Sequence, residues 1–156
     1  MQILFMCTAN SCRSVLSEAL FNHMAPEGFS AVSSGSFPSG KLNPHALATL
    51  ARMGVSTEGL YSKGSDSFAD NPPDIVITVC DNANNEPCPI YFGPALKAHW
   101  GLVDPANVTG TDAEIQAAFD QTVAIIQARF KAFFALNHVE MTREEWLGAL
   151  DRMGNE

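Results

Sequence analysis

The sequence is poor in positive charge: nine Lys and Arg stand against 17 Asp and Glu, a formal net charge of −8 over 156 residues. General binding to nucleic acid or to an anionic membrane needs a basic face, so neither is expected, although one arginine-centred anion site fits inside an acidic protein. Long apolar runs are missing. None approaches the roughly 20 residues of a membrane span. No basic segment leads into an apolar core and a small-residue cleavage site, so a cytoplasmic protein is expected and Asn107-Val108-Thr109 is a chance match to the glycosylation pattern. Cysteines number four, Cys7, Cys12, Cys80 and Cys88. They include no C-x-x-C pair and fit no common zinc pattern, so a site of Cys80, Cys88 and His99 is disfavoured and no metal is expected. In an intracellular chain they read as reactive thiols rather than a static disulfide framework. Repeats and low-complexity tracts are also absent. The remainder, 46% hydrophobic and 17% charged, is ordinary for a globular protein and excludes disorder as the main state. A chain of this length forms one domain of usual size.

What is present centres on Cys7-Thr8-Ala9-Asn10-Ser11-Cys12-Arg13-Ser14. Before it, Gln2-Ile3-Leu4-Phe5-Met6 is too short for a helix with its own core face and suits a strand covered on both sides. After it, Val15, Leu16, Ala19, Leu20 and Met24 recur at helical intervals. A loop turning from strand into helix points backbone N–H groups at its own centre, and the helix's positive end adds to that field, so such a loop holds oxyanions. A thiol there ionises more readily than a free one. Arg13 offers a planar fork for two oxygens of a tetrahedral anion, and Ser14 a hydrogen bond to the sulfur. Cys7 is therefore the candidate nucleophile. The plainer alternative makes Cys7 a small buried hydrophobe and Arg13 an ordinary first-turn residue; placement between strand and helix favours the chemical reading.

Further along, Phe29 to Ser33 reads as a second strand, and Asn43-Pro44 as the N-cap and first position of a helix that Gly54 stops. Residues 56 to 73 look irregular, with a short helical turn near Ser65 to Ala69. Asp74 to Val79 is β-branched and apolar on both faces, the signal of a central strand. Asp81 to Pro89 is polar and turn-rich, and Ala98 to Leu102 is a weaker strand. Thr111 with Glu114 forms a capping box before a long helix marked by Ile115, Phe119, Val123, Ile126, Phe130 and Phe133. Thr142 with Glu145 opens a last helix carrying Trp146, Leu147, Leu150 and Met153. Strands alternating with helices imply an α/β fold, a parallel sheet with helices on both faces and its ligand site at the carboxyl ends of the strands. Cys7, Cys80 and Asp104 follow strands and Ser33 to Gly35 end one, so all share that edge. If the first and third strands are adjacent, about 4.8 Å apart, positions 7 and 80 come near disulfide distance.

The octapeptide from Cys7 to Ser14, Cys80 with Cys88, and His99-Trp100-Gly101 leading to Asp104-Pro105 together resemble the arsenate reductases built on the low-molecular-weight tyrosine phosphatase fold. The resemblance runs from about Met1 to Phe134. It implies a four-stranded parallel sheet, a phosphate-type loop of residues Thr8, Ala9, Asn10, Ser11, Cys12, Arg13 and Ser14, and no organic cofactor. It also implies a phosphatase-like domain over residues 1–136, with 137–156 a C-terminal helical extension packed on the same domain. Cys7 would attack arsenate, Arg13 hold its oxygens, and Asp104 protonate the departing oxygen. Cys80 would then attack Cys7 and Cys88 attack Cys80, leaving a disulfide for thioredoxin or glutaredoxin to reduce. A monomer is expected.

Other residues take supporting parts. Asn10 braces the loop, Cys12 packs rather than reacts, and His99 and Trp100 support the strand that presents Asp104. Asp66 and Glu58 are solvated acids. Some relatives hold potassium with residues resembling Asn10, Glu18 and Ser33 plus a downstream acid; Lys63 stands near that acid's place, so no bound potassium is expected. The competing reading is a low-molecular-weight tyrosine phosphatase, which needs neither Cys80 nor Cys88 and usually carries an aromatic residue where Ala106 stands. A noncatalytic redox sensor would leave Arg13 and Asp104 unexplained.

Overall fold

An apolar run buried on both sides belongs in the middle of a sheet, and Ile3, Leu4 and Phe5 have no exposed surface at all. The computed structural model of the chain describes residues 1–7, 10–35, 38–64, 73–79, 95–136 and 140–154. In chain order these hold β1 (Gln2–Cys7), α1 (Arg13–Met24), β2 (Ser30–Gly35), α2 (Pro44–Arg52), β3 (Ile75–Thr78), β4 (Leu96–His99), a single 3-10 turn (Pro105–Asn107), α3 (Asp112–Phe134) and α4 (Arg143–Gly154). The four strands form one sheet in the order β2-β1-β3-β4, and every pairing is parallel. All carboxyl ends therefore lie on one edge. Cys7 ends β1 opposite Gly35 of β2, and Met6 pairs with Thr78 of β3.

Alternation along the strands divides the core. Ile3, Phe5, Cys7, Ile75, Ile77 and Val79 join the large cluster formed with all four helices. Leu4, Met6 and Val76 bury the other face with Ala95 and Val32. Aromatic rings fill the larger side: Phe21 meets Phe130 edge to face at 5.2 Å between centroids, a favoured geometry for such pairs. Phe133 lies 5.8 Å from Trp146, which joins α4 to α3.

The helices start where their caps direct. Asn43 Oδ1 accepts the amides of His45 and Ala46. Thr111 and Glu114 make both bonds of a capping box, and Thr142 and Glu145 exchange the same pair, satisfying amides that have no partner inside the helix. One strand is displaced from its expected place. β4 occupies Leu96–His99, starting two residues and ending three residues before the expected Ala98 to Leu102, because it is an edge strand with Lys97 exposed and its pattern is correspondingly weak. The helical turn expected near Ser65 to Ala69 lies outside the described residues.

Candidate active site

The loop between β1 and α1 turns on Asn10, whose φ of 47° is the one left-handed value outside glycine among the described residues. Asparagine tolerates this region better than most residues. Its buried amide then makes three bonds. Nδ2 donates to Ser14 Oγ and to Ser33 Oγ, each at 2.9 Å, and Oδ1 accepts the amide N–H of Lys63 at 2.8 Å. Ser14 Oγ accepts from Asn10 and lies 2.9 Å from Cys7 Sγ, so against a thiolate its own hydrogen is the one donated.

Behind this loop the polar groups continue. Ser33, paired with Phe5 across the sheet, donates to Glu18 Oε1 at 2.7 Å. Lys63 Nζ lies 3.3 Å from the same oxygen, with 7% and 11% of the two side chains exposed. Gly35 donates its N–H to Lys63 O, so the end of β2 is what brings residue 63 beside the loop. Lys63 thus supplies a positive charge next to Glu18.

Arg13 opens α1 and is 5% exposed. Its Nη1 donates to Leu102 O at 3.2 Å and reaches Val79 O at 3.5 Å, while Nη2 stands 3.5 Å from Asp104 Oδ2. The guanidinium is therefore held by the ends of β3 and of the segment after β4. Asp104 caps the 3-10 turn through Oδ1, which accepts Ala106 N–H at 3.0 Å, and it faces Arg13 from across the strand edge. Cys12 is 4% exposed; burial pushes its thiol well above the usual range, Asp104 and Cys7 add to the shift, and Arg13 opposes it. Ser11 enters through its carbonyl, which accepts Asn43 N–H at 2.8 Å and ties α2 to the loop.

The structure thus gathers Cys7, Asn10, Arg13, Ser14 and Asp104 at one edge and leaves the Cys12 thiol in the core. Thr8, Ala9, Asp66, Cys80 and Cys88 lie outside the described residues. Glu58 is exposed. His99 Nδ1 meets Thr78 Oγ1 at 2.8 Å, and Trp100 Nε1 donates to Leu150 O. Among the described residues no cluster of three His, Cys, Asp or Glu side chains is placed to hold a metal ion, and no helix is long and apolar enough to cross a membrane. One residue escaped the sequence reading. Arg129 sits in the buried stripe of α3 with 9% exposure and donates to Trp100 O and Gly101 O; a charged residue three positions after Ile126 in an otherwise apolar stripe was the available signal.

Chemically, the arrangement offers a sulfur at a strand end, a cation and a helix N-terminus to hold an oxyanion, and a carboxyl group across from them. The profile described as "Low molecular weight phosphotyrosine protein phosphatase" matches residues 2–145. An arsenate reductase of Bacillus subtilis is 34% identical over 131 residues, 84% of this chain and 93% of that protein. Among solved structures, an arsenate reductase from Archaeoglobus fulgidus superposes with a TM-score of 0.71 at 27% identity, over 86% of this chain and 99% of that one. A Corynebacterium glutamicum thioredoxin-dependent arsenate reductase gives a TM-score of 0.61 at 28% identity, over 85% of this chain and 61% of that one.

Proposed function

The chain belongs to the low molecular weight phosphotyrosine protein phosphatase family, and within it we propose that the protein reduces arsenate to arsenite with two electrons relayed through three of its own cysteines. The observation that carries this is the adjacency of β1 and β3. Val79 N–H donates to Met6 O at 2.9 Å, so the residue before Cys80 is bonded to the residue before Cys7. Relatives named arsenate reductase, at about a third identity over most of the chain, support the same substrate.

In this reading arsenate sits against the N-terminus of α1 with Arg13 on its oxygens. Cys7 thiolate forms a bond to arsenic, and Asp104 gives a proton to the oxygen that leaves as water. Cys80 thiolate next attacks Cys7 Sγ. The electron pair of the sulfur–arsenic bond passes to arsenic, which falls from the pentavalent to the trivalent state and departs as arsenite. Cys88 then attacks Cys80 and frees Cys7 as thiolate, leaving a Cys80–Cys88 disulfide for an external dithiol. Thioredoxin is the proposed reductant, with glutaredoxin and glutathione as the other arm of the assay. A relay of free thiols requires a reducing compartment, which makes the cytoplasm the proposed setting.

Arsenate with thioredoxin, thioredoxin reductase and NADPH is expected to give continuous turnover. Cys80→Ser should trap arsenic on Cys7, and Cys88→Ser should stop after one turnover as a Cys7–Cys80 disulfide, read by peptide mapping without reductant. Undiminished steady-state rates in Cys80→Ser would exclude the relay. The phosphatase reading uses only Cys7, Arg13 and Asp104; hydrolysis of aryl phosphates faster than arsenate reduction in the same preparation would favour it.

A further inference from the structure

All of α4 except its first turn lies beyond the matched family span of residues 2–145, yet its contacts converge on the strand end that leads to Asp104. Leu150 O accepts the indole N–H of Trp100 at 2.8 Å. Gly154 approaches so closely that a Cβ there would lie 2.7 Å from Trp100 Cδ1 and would overlap the carbonyl oxygen of His99. Arg129 completes the junction from α3. Nη1 donates to Trp100 O at 3.1 Å and to Gly101 O at 3.2 Å, while Nη2 donates to Gly101 O at 3.3 Å and to Gly154 O at 3.4 Å. Burial lowers the pKa of this guanidinium. The carbonyl end of α4 is where a helix favours a cation, so Gly154 both holds Arg129 and is capped by it.

From Gly101 the backbone runs directly to Leu102, whose carbonyl is held by Arg13, and on to Asp104. Trp100 and Gly101 are thus fixed from the α3 and α4 side, and Leu102 from the loop side. We propose that α4 and Arg129 form a brace that sets where the Asp104 carboxylate stands relative to Cys7, with Trp100, Arg129 and Gly154 as positioning residues. The C-terminal helix is then part of the apparatus for proton delivery and not only a cover for the core. The catalytic consequence rests on Asp104 being the proton donor; the placement of its carboxylate rests on the contacts alone.

Gly154→Ala and Trp100→Phe separate these points. The first forces α4 away from His99 and Trp100, and the second removes the bond to Leu150 while keeping a ring in the core. In nuclear magnetic resonance spectra both should displace the Asp104 carboxyl carbon and the Ala106 amide that it accepts, leaving the amides of Asn10 and Ser14 in place. Unmoved Asp104 and Ala106 signals overturn the brace whatever the chemistry, as does a displacement spread evenly over the whole loop. If Gly154→Ala does not fold, Trp100→Phe carries the same readouts.

Arsenate turnover then tests the consequence. Misplacing a catalytic group by about 1 Å costs up to about a hundredfold, so each variant should lower kcat roughly ten- to a hundredfold with little change in KM. In an Asp104→Asn background neither should lower it further, because the group being positioned is already gone. Equal losses in both backgrounds overturn the proposal. Full turnover in Asp104→Asn alone would instead remove the proton-donor role, while the Asp104 and Ala106 resonances still decide the brace.

Discussion

Cys7 and Cys12 bound the same loop but meet different surroundings, and their neighbours separate their chemistry. Cys7 Sγ has the Ser14 hydroxyl at 2.9 Å. Cys12 faces the core, where burial, Asp104 and Cys7 all oppose its ionisation. An unfolded chain releases this thiol proton above about pH 8.5, whereas the folded chain keeps it to higher pH. Stability therefore falls as pH rises beyond that point, because the folded state binds the extra proton. Cys12→Ala is expected to flatten this alkaline decline in thermal midpoint, to keep arsenate turnover within a few-fold, and to leave the alkylation of Cys7 at neutral pH unchanged. At this scale the strand-to-helix switch around Cys7 and Arg13 was readable, and with it the residue proposed as nucleophile. Arg129 was not, because three of its acceptors are backbone carbonyls, and a carbonyl's direction is set by the fold and not by residue type.

Beside the connection between β2 and the loop lies a buried ion pair. Lys63 Nζ and Glu18 Oε1 are 3.3 Å apart with little solvent on either side, and Ser33 donates to the same carboxylate. Removing one member leaves a charge without its partner, which costs about 3 to 5 kcal/mol, while replacing both with neutral groups costs far less. Lys63→Met should lose that much stability in urea titration, and Lys63→Met with Glu18→Gln should recover a large part of it. Elements with strong local signals were legible beforehand: the capping pairs of Thr111 with Glu114 and Thr142 with Glu145 mark the starts of α3 and α4. β4 was less so. Its residues are only half buried and Lys97 is exposed, so neither alternation nor a continuous apolar run defined its limits.

Over the whole molecule, α4 shares the large core with the sheet. Trp146 is 5% exposed and meets Phe133, while Leu150 and Met153 join the same cluster. Trp146→Ala should lower stability by about 3 to 5 kcal/mol, the usual cost of emptying a large aromatic site. The unmodified protein is expected to unfold in one step, with tryptophan fluorescence and far-ultraviolet circular dichroism giving coincident urea transitions. The parallel architecture was deducible from alternating strands and helices, but the order β2-β1-β3-β4 is a matter of long-range pairing that no local stretch encodes. That order also bears on synthesis. β1 is an inner strand flanked by a later segment on each side, and the Arg13 fork closes on the carbonyls of Val79 and Leu102 and on Asp104, all far along the chain. A ribosome-bound chain must therefore carry Cys7 without those neighbours until residue 102 has been made, and the thiol acquires its surroundings only when a distant part of the polypeptide has emerged to meet it.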